Sequence, residues 1–306
     1  MVGSHQVKIL LKKWQITVTS AVLAIALVAT FFMSSSRSGD STQPTTITPV
    51  QTWSGPASIV SGAIIDGANQ AIALVNTGDT ANLQVISLSS NKTLGIKPMS
   101  NAANAVTFNS HNTLAVGHGT GRAGSISFYQ YPGLRLLSTI PMAGPVRQVS
   151  AAVTGNVFSA LIKVGVVVSA AVVNSATHAT LTTIPLPSNT TAIALSPDGL
   201  MLYAAISTGK VLVFSTSTNS QLYTFAAGGA FIAMSASSDG TSLYGLKTTT
   251  SGENVSVVDL ATQAVVSVLP APKATKAIQV SARGNSLFDF VGTEKYGNIQ
   301  SFSTNR

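Results

Sequence analysis

A turn signal that returns at a nearly constant interval constrains the fold of this 306-residue chain more than any other feature. Its clearest forms are Ser196-Pro197-Asp198-Gly199 and Ser238-Asp239-Gly240, each with strand-like runs on both sides. With weaker forms, the six markers are Asp66-Gly67, His111, Gly155, Asp198-Gly199, Asp239-Gly240 and Gly284. The spacings between positions 67, 111, 155, 199, 240 and 284 are 44, 44, 44, 41 and 44 residues. A steady period of this size indicates stacked structural repeats.

Each period contains four short strand-like runs separated by Gly, Asn, Ser and Asp. In the fourth repeat the runs are 191–196, 200–206, 211–215 and 221–226. Runs of this length between turn residues are typical of strands joined by tight turns. Four antiparallel strands in about 43 residues make one propeller blade. The sequence therefore predicts an all-β, six-bladed β-propeller over 50–306. A seven-bladed ring would leave only about 37 residues per blade.

Two repeats carry a more specific pattern, LSPDGLMLYAAISTGKVLVFSTSTNSQLYTF and SSDGTSLYGLKTTTSGENVSVVDLATQAVVSVLPA. Both have an Asp-Gly turn, a Leu-Tyr strand, a strand with alternating valines and an apolar outer strand. They resemble the YVTN-type, WD40-like propeller repeats of bacterial and archaeal surface proteins. Asp259, after Val257 and Val258, stands where that family places its Asp. The resemblance implies a propeller fold.

The two ends of the repeat region predict how the ring closes. The sixth repeat has runs at 277–282, 286–291 and 299–303, and it lacks an outer strand before the chain ends at Arg306. The segment PVQTWSG at 49–55 precedes the first repeat and resembles the outer strands of other repeats. We expect the strand Val50–Trp53 to complete the last blade. Such closure removes unpaired sheet edges, which invite aggregation.

The third repeat contains an apolar run, VFSALIKVGVVVSAAVV at 157–173, which allows two interpretations. One is a second membrane helix. The other is a pair of blade strands covered on both faces, which also read as continuous apolar runs. The β-branched content, Lys163 near the middle and the turn markers on both sides favour strands, with Gly165 as the turn.

The N-terminal region predicts a membrane anchor. Residues 16–33 form an 18-residue run without charge, close to the length that spans a bilayer, and Trp14 suits the headgroup level. Lys8, Lys12 and Lys13 precede the run, which places the N-terminus in the cytoplasm and the remainder outside. The alternative is a cleaved signal peptide, with a weak site at Ser34-x-Ser36.

The segments around this anchor complete the predicted domain order. Residues 1–15 form a basic cytoplasmic tail, and 16–33 form the anchor. Residues 34–49, rich in Ser and Thr with two prolines, form a stalk, because such a stretch buries too little surface to offset its ordering entropy. Residues 50–306 form the propeller. The predicted location is a cell membrane, with the propeller outside.

The formal net charge of +8 raises the question of nucleic acid. Lys8, Lys12, Lys13 and Arg37 beside the anchor supply half of it. From residue 38 onward, 13 Lys and Arg face 9 Asp and Glu, and no basic run with interleaved aromatic residues occurs. The sequence therefore predicts no nucleic-acid partner.

Motifs for chemistry are weak throughout the chain. Absence of cysteine removes thiolate catalysis, disulfides and cysteine metal sites. Gly119-x-Gly121-x-x-Gly124 matches a dinucleotide fingerprint, but a strand-like run follows it where that motif requires a helix. His111 and His118 lie near one another in sequence without acidic neighbours at metal-ligand spacing. We therefore assign no catalytic residue, cofactor or metal site, and we interpret Asp198 and Asp239 as turn residues.

These observations favour a binding or scaffold module at the cell surface, with other surface or envelope proteins as partners. One alternative is a propeller enzyme of lactonase or quinoprotein type, and another is an accessory subunit of an envelope complex. Charged or metal-binding side chains in the central channel would favour the enzyme, while Ser, Thr and Ala would disfavour it. The low number of carboxylates also predicts tolerance of acidic surroundings.

Overall fold

Six four-stranded antiparallel sheets make up the computed structural model, which describes residues 50–304 except 57, 78–79, 101, 282–283 and 294–295. The predicted six-bladed, all-β propeller is confirmed. From the innermost strand outwards, blade one consists of β2 Ser58–Ile65, β3 Gln70–Thr77, β4 Thr80–Ser87 and β5 Lys92–Met99. Blade two consists of β6 Ala103–Phe108, β7 Thr113–Thr120, β8 Ala123–Gln130 and β9 Arg135–Met142. Blade three consists of β10 Val146–Ala151, β11 Val157–Val164, β12 Val167–Asn174 and β13 Ala179–Leu186.

The remaining blades follow the same order. Blades four and five are β14 Thr190–Leu195, β15 Met201–Ile206, β16 Lys210–Ser215 and β17 Gln221–Ala226; β18 Ala233–Ala236, β19 Ser242–Thr249, β20 Gly252–Asp259 and β21 Ala264–Ala271. Blade six consists of β22 Thr275–Val280, β23 Ser286–Gly292, β24 Tyr296–Ser303 and, outermost, β1 Gln51–Pro56. A short 3₁₀ helix, Asp66–Ala68, joins β2 to β3.

Strand β1 joins the two ends of the chain within blade six. It runs antiparallel to β24, with Trp53 opposite Ile299, and the Val50 N–H donates to the Ser301 carbonyl at 2.8 Å. The Trp53 indole is buried, stacks on Phe288 with 6.3 Å between ring centroids, and donates its N–H to the carbonyl of Leu88 in blade one. The closing strand therefore holds the sixth blade to the first as well as completing its own sheet.

The apolar run of the third repeat forms the hairpin β11–β12, and Gly165 occupies its turn with φ +59°. Its side chains alternate between two interfaces. Phe158 and Ala160 pack against blade two, while Leu161 and Ala170 pack against blade four. Because both faces of the blade are covered, the run lacks polar alternation without being a membrane helix.

The core is divided among the six interfaces between neighbouring blades. Each interface holds one cluster of buried apolar side chains, and together the clusters close a ring. Small residues let neighbouring blades approach closely, since the ring of Phe290 in blade six occupies the space where a side chain on Gly62 of blade one would lie. Packing between blades, rather than within one blade, therefore stabilises the disc.

The predicted tail, anchor and stalk, with Lys12, Lys13 and Trp14, lie outside the described residues. Within the described part of the chain, no helix has the length and apolar character needed to cross a membrane.

Candidate binding face and channel

The antiparallel order of each blade sorts the turns onto two faces of the disc. Turns between strands one and two, and between three and four, lie on one face; turns between strands two and three, with the connections between blades, lie on the other. We call the first the aspartate face and the second the lysine face. All six predicted turn markers occupy turns between the first and second strands, and therefore lie on the aspartate face.

The two clearest markers form the same hydrogen-bonded turn. The Asp198 carboxylate accepts from the Ser196 hydroxyl at 2.5 Å and from the Leu200 N–H at 3.0 Å, and these bonds lower the pKa of Asp198. Asp239 accepts from Ser237 and Thr241 in the same way, again with a lowered pKa. These bonds account for both aspartates as turn residues.

The other markers differ in detail. Gly155, Gly199, Gly240 and Gly284 all have a left-handed backbone, with φ between +70° and +87°. In the first two blades an asparagine adopts that conformation instead, at Asn69 and Asn112. Gly67 and His111 precede these asparagines by one or two residues, so the sequence signal locates the turns but not their left-handed residues.

Charge is distributed unequally between the two faces. Four aspartates, Asp66, Asp198, Asp239 and Asp259, lie in or beside turns of the aspartate face, together with Lys92 and Arg135. Among the described residues, seven basic residues lie on the lysine face: Arg122, Arg147, Lys163, Lys210, Lys247, Lys273 and Lys276. Six of the seven are exposed. The described carboxylate at this end, Glu253, accepts hydrogen bonds from the backbone N–H groups of Ala274 and Thr275.

The innermost strands surround a central cavity of about 690 Å³. Its lining is mainly Ala, Val, Ser, Ile and Asn, and the described lining residues include no Asp, Glu or His. Arg147 and Lys276 are its charged members. This is the channel in which a lactonase-type enzyme would require carboxylates or metal ligands.

The polar side chains of the channel satisfy the free inner edges of the sheets. An innermost strand has backbone N–H groups with no neighbouring strand, and these require partners. Side chains from the preceding blade supply them: Ser61 accepts from Val106, Gln148 from Ile193, Ser150 from Leu195, Ser235 from Val280 and Gln279 from Ile64, at 2.8–3.2 Å. These Ser and Gln residues therefore act in the structure of the ring.

Arg147 and Lys276 occupy equivalent places in opposite blades, the third and the sixth. Each is the residue skipped by a β-bulge near the start of the innermost strand, at the lysine-face mouth of the channel. Neither has a hydrogen-bond or ion-pair partner among the described residues. Sequence reasoning missed them, although each stands eight residues before its turn glycine, Gly155 or Gly284.

The same bulge position in two other blades is occupied by polar residues that are already bonded. Asn104 donates to the carbonyls of Gly119 and Val146, at 2.8 and 3.1 Å. The Thr191 hydroxyl donates to the carbonyl of Phe231 at 2.6 Å. Of these four equivalent side chains, the two cations are therefore the ones without a hydrogen-bond partner among the described residues.

The remaining sequence candidates for chemistry are separated. His111 lies at the aspartate-face end of β7, and His118 lies near the opposite end, where burial lowers its pKa. The described residues contain no group of three or more His, Cys, Asp or Glu placed to hold a metal. Gly119, Gly121 and Gly124 belong to the hairpin between β7 and β8.

Comparisons with known proteins support the fold alone. No family model and no curated protein matches the chain. Solved structures that match include a chain of the mitotic checkpoint complex, with TM-score 0.63, 14% identity, and coverage of 89% of this chain and 96% of that one. Another is a chain of Kuenenia stuttgartiensis hydrazine synthase, with TM-score 0.59, 11% identity, and coverage of 78% and 82%. At such identities the likeness shows a β-propeller fold and does not carry over a function.

Proposed function

We propose that this chain is a membrane-anchored, extracytoplasmic β-propeller that serves as a binding or scaffold module, with acidic surface or envelope proteins docking on its lysine face. The observation that carries the proposal is the separation of charge. Among the described residues, seven basic residues lie on one face and four aspartates lie in or beside turns of the other. Complementary charge between two surfaces speeds their association and selects partners.

The entry point of the chain is consistent with this arrangement. Val50 and Gln51 pair with Ser301, near the aspartate-face end of β24, so the chain enters the disc at the edge of that face. The first described residues therefore lie away from the lysine face proposed for docking.

The channel supports a binding role over an enzyme of the lactonase or quinoprotein type. Its described lining lacks Asp, Glu and His, and its Ser and Gln side chains bond to neighbouring blades. A nucleic-acid partner is disfavoured by the scarcity of stacking groups, because Tyr296 is the one aromatic residue with a largely exposed side chain in the described part. The resemblance of two repeats to the YVTN type is a further reason to propose a surface protein.

A charge-matched pair of variants tests the proposed docking face in the full chain. The first carries Arg122→Gln and Lys163→Gln on the lysine face, and the control carries Lys92→Gln and Arg135→Gln on the aspartate face. Each variant is expressed in the cells that produce the natural protein and is cross-linked to neighbouring proteins in the membrane. The cross-linked proteins are then quantified by mass spectrometry. We expect acidic envelope proteins to be lost from the lysine-face variant and kept by the control.

The same experiment also has outcomes that would contradict the proposed docking face. Equal loss from both variants, or no loss from either, would contradict docking on the lysine face. Recovery of mainly nucleic acid cross-linked to the parent chain would indicate a nucleic-acid partner in place of the proposed protein partner. Extraction of the membranes at alkaline pH, with the mass of the N-terminal peptide, separates a retained anchor from a cleaved signal.

A further inference from the structure

The mouth of the central channel on the lysine face combines three features. Two cationic side chains, Arg147 and Lys276, enter the channel at the same register from opposite blades. Neither has a partner among the described residues, and no described lining residue is acidic. Below them lies a neutral cavity wide enough for a small molecule, about 690 Å³ in volume.

Neighbouring groups do not neutralise this pair. Glu253, the described carboxylate on the lysine face, already accepts hydrogen bonds from the backbone N–H groups of Ala274 and Thr275. Asn104 and Thr191, at equivalent positions, are bonded to backbone carbonyls. Two cations in a concave site with low-dielectric walls concentrate the field and attract anions.

From this geometry we propose that the channel mouth binds a compact multivalent anion, which carries two or more phosphate or carboxylate groups, between Arg147 and Lys276. The planar guanidinium of Arg147 matches one such group with two parallel hydrogen bonds. The ammonium of Lys276 contacts a second group from the other side. Because the cations come from opposite blades, an anion with one charged group satisfies only one of them. The site therefore selects multivalent over monovalent anions.

The site is tested by calorimetric titration of the purified full chain in a neutral detergent with tripolyphosphate, citrate and acetate. Tripolyphosphate and citrate separate the phosphate source from the carboxylate source, and acetate is the monovalent control. We expect one multivalent anion to bind with one-to-one stoichiometry, and acetate to bind at least about tenfold more weakly. Affinity should fall as salt is added.

Variants assign the binding to the two residues. Arg147→Gln and Lys276→Gln should each weaken binding by about tenfold, and the double variant should abolish it. Lys210→Gln, on the same face but outside the channel lining, is the matched control and should change affinity less than about twofold. Both mouth side chains are exposed, so thermal melting of the variants should match the parent.

Two results would overturn the assignment. One is no binding of either multivalent anion at millimolar concentration by a folded protein. The other is equal weakening by Lys210→Gln, which would show attraction by the whole face rather than a site at the mouth. This test uses pure protein and small anions, so its outcome is independent of whether envelope proteins dock on the lysine face.

Discussion

Asp289 is the most unusual single residue in the described ring. It is fully buried in β23, and neither carboxylate oxygen has a hydrogen-bond partner among the described groups. The corresponding residues of the other blades are Ala73, Val116, Ala160, Ala204 and Gly245. Burial, and then repulsion from Glu253, raises the pKa of Asp289 to about 8. The folded protein therefore keeps this carboxyl protonated near neutral pH.

This residue predicts a stability that declines as pH rises from about 4 to about 8. Asp289 has a folded pKa above its ordinary value of 3.8, so the folded state binds the proton more tightly than the unfolded state. Its stabilising contribution is complete below that ordinary value and is lost on the way to pH 8, by about 1.4 kcal/mol per pH unit at most. Asp289→Asn removes the titration, and should therefore be more stable than the parent at pH 8.

Urea unfolding at pH 5, 7 and 9 measures this difference between the parent and Asp289→Asn. Taking the difference removes the other titrating groups. His118 acts in the opposite direction, because its lowered pKa costs stability as pH falls below about 6.5. Asp198 and Asp239, with lowered pKa values, likewise lose their contribution below about pH 4. A pH-independent difference between the two proteins would contradict a buried, titrating Asp289.

The turn glycines predict a second effect at the scale of one residue. Gly199 has φ +74°, and a Cβ there would lie 3.1 Å from the Val157 side chain and 3.2 Å from Ala152. Gly199→Ala should therefore lower the unfolding free energy by about 1–3 kcal/mol. Gly67→Ala is the matched control, because Gly67 lacks a left-handed backbone and has open space around its Cβ position. Chemical denaturation of both variants measures the difference, and equal stability would contradict it.

At the scale of elements, the ladder β1–β24 depends on one large side chain. Trp53→Ala removes a buried indole, its hydrogen bond to Leu88 and its stacking on Phe288. We expect a loss of about 3–5 kcal/mol, with dimers or larger species as the edge of β24 becomes unpaired. Val50→Ala, in the same strand region, changes a side chain that is 68% exposed and should have little effect.

Denaturation combined with light scattering tests the closing strand. If Trp53→Ala were as stable and as monodisperse as Val50→Ala, β1 would not be holding the ring closed.

The bulges at the starts of the innermost strands are the other functional elements. Without them, Arg147 and Lys276 would stay in the ladder register instead of entering the channel mouth.

At the scale of the whole molecule, the six interfaces form a closed chain of contacts. No blade unfolds without exposing two apolar clusters, so we expect a single cooperative transition for the described propeller. Gly62→Ala places a methyl group against the Phe290 ring at the closing interface. Overpacking of this kind should cost about 1–3 kcal/mol and move the whole transition to lower denaturant.

Gly95→Ala is the control for that experiment, because nothing lies within 4 Å of a Cβ at Gly95 in the outer strand β5. Its free energy of unfolding should stay within about 0.5 kcal/mol of the parent value. Two separate transitions in Gly62→Ala, followed by fluorescence and circular dichroism, would show that the blades unfold independently and contradict ring-wide cooperativity.

The blade number follows from the sequence because turns are local. Asp198 and Gly199 form their turn with residues two or three positions away, so the signal is visible in any single repeat. The period then gives six blades, and the missing outer strand of the sixth repeat points to the segment that contains Trp53.

The charged face and the channel mouth were decided only by the tertiary structure. The linear chain has a mild excess of basic residues from residue 38 onward and no basic run. Arg147 and Lys276 are far apart in sequence, and only ring closure places them in one cavity. Asp289 likewise stands in a strand-like run, and its burial depends on the neighbouring blade. Local hydrogen bonds determine turns and strands, whereas burial and charge distribution depend on which strands the closed ring brings together.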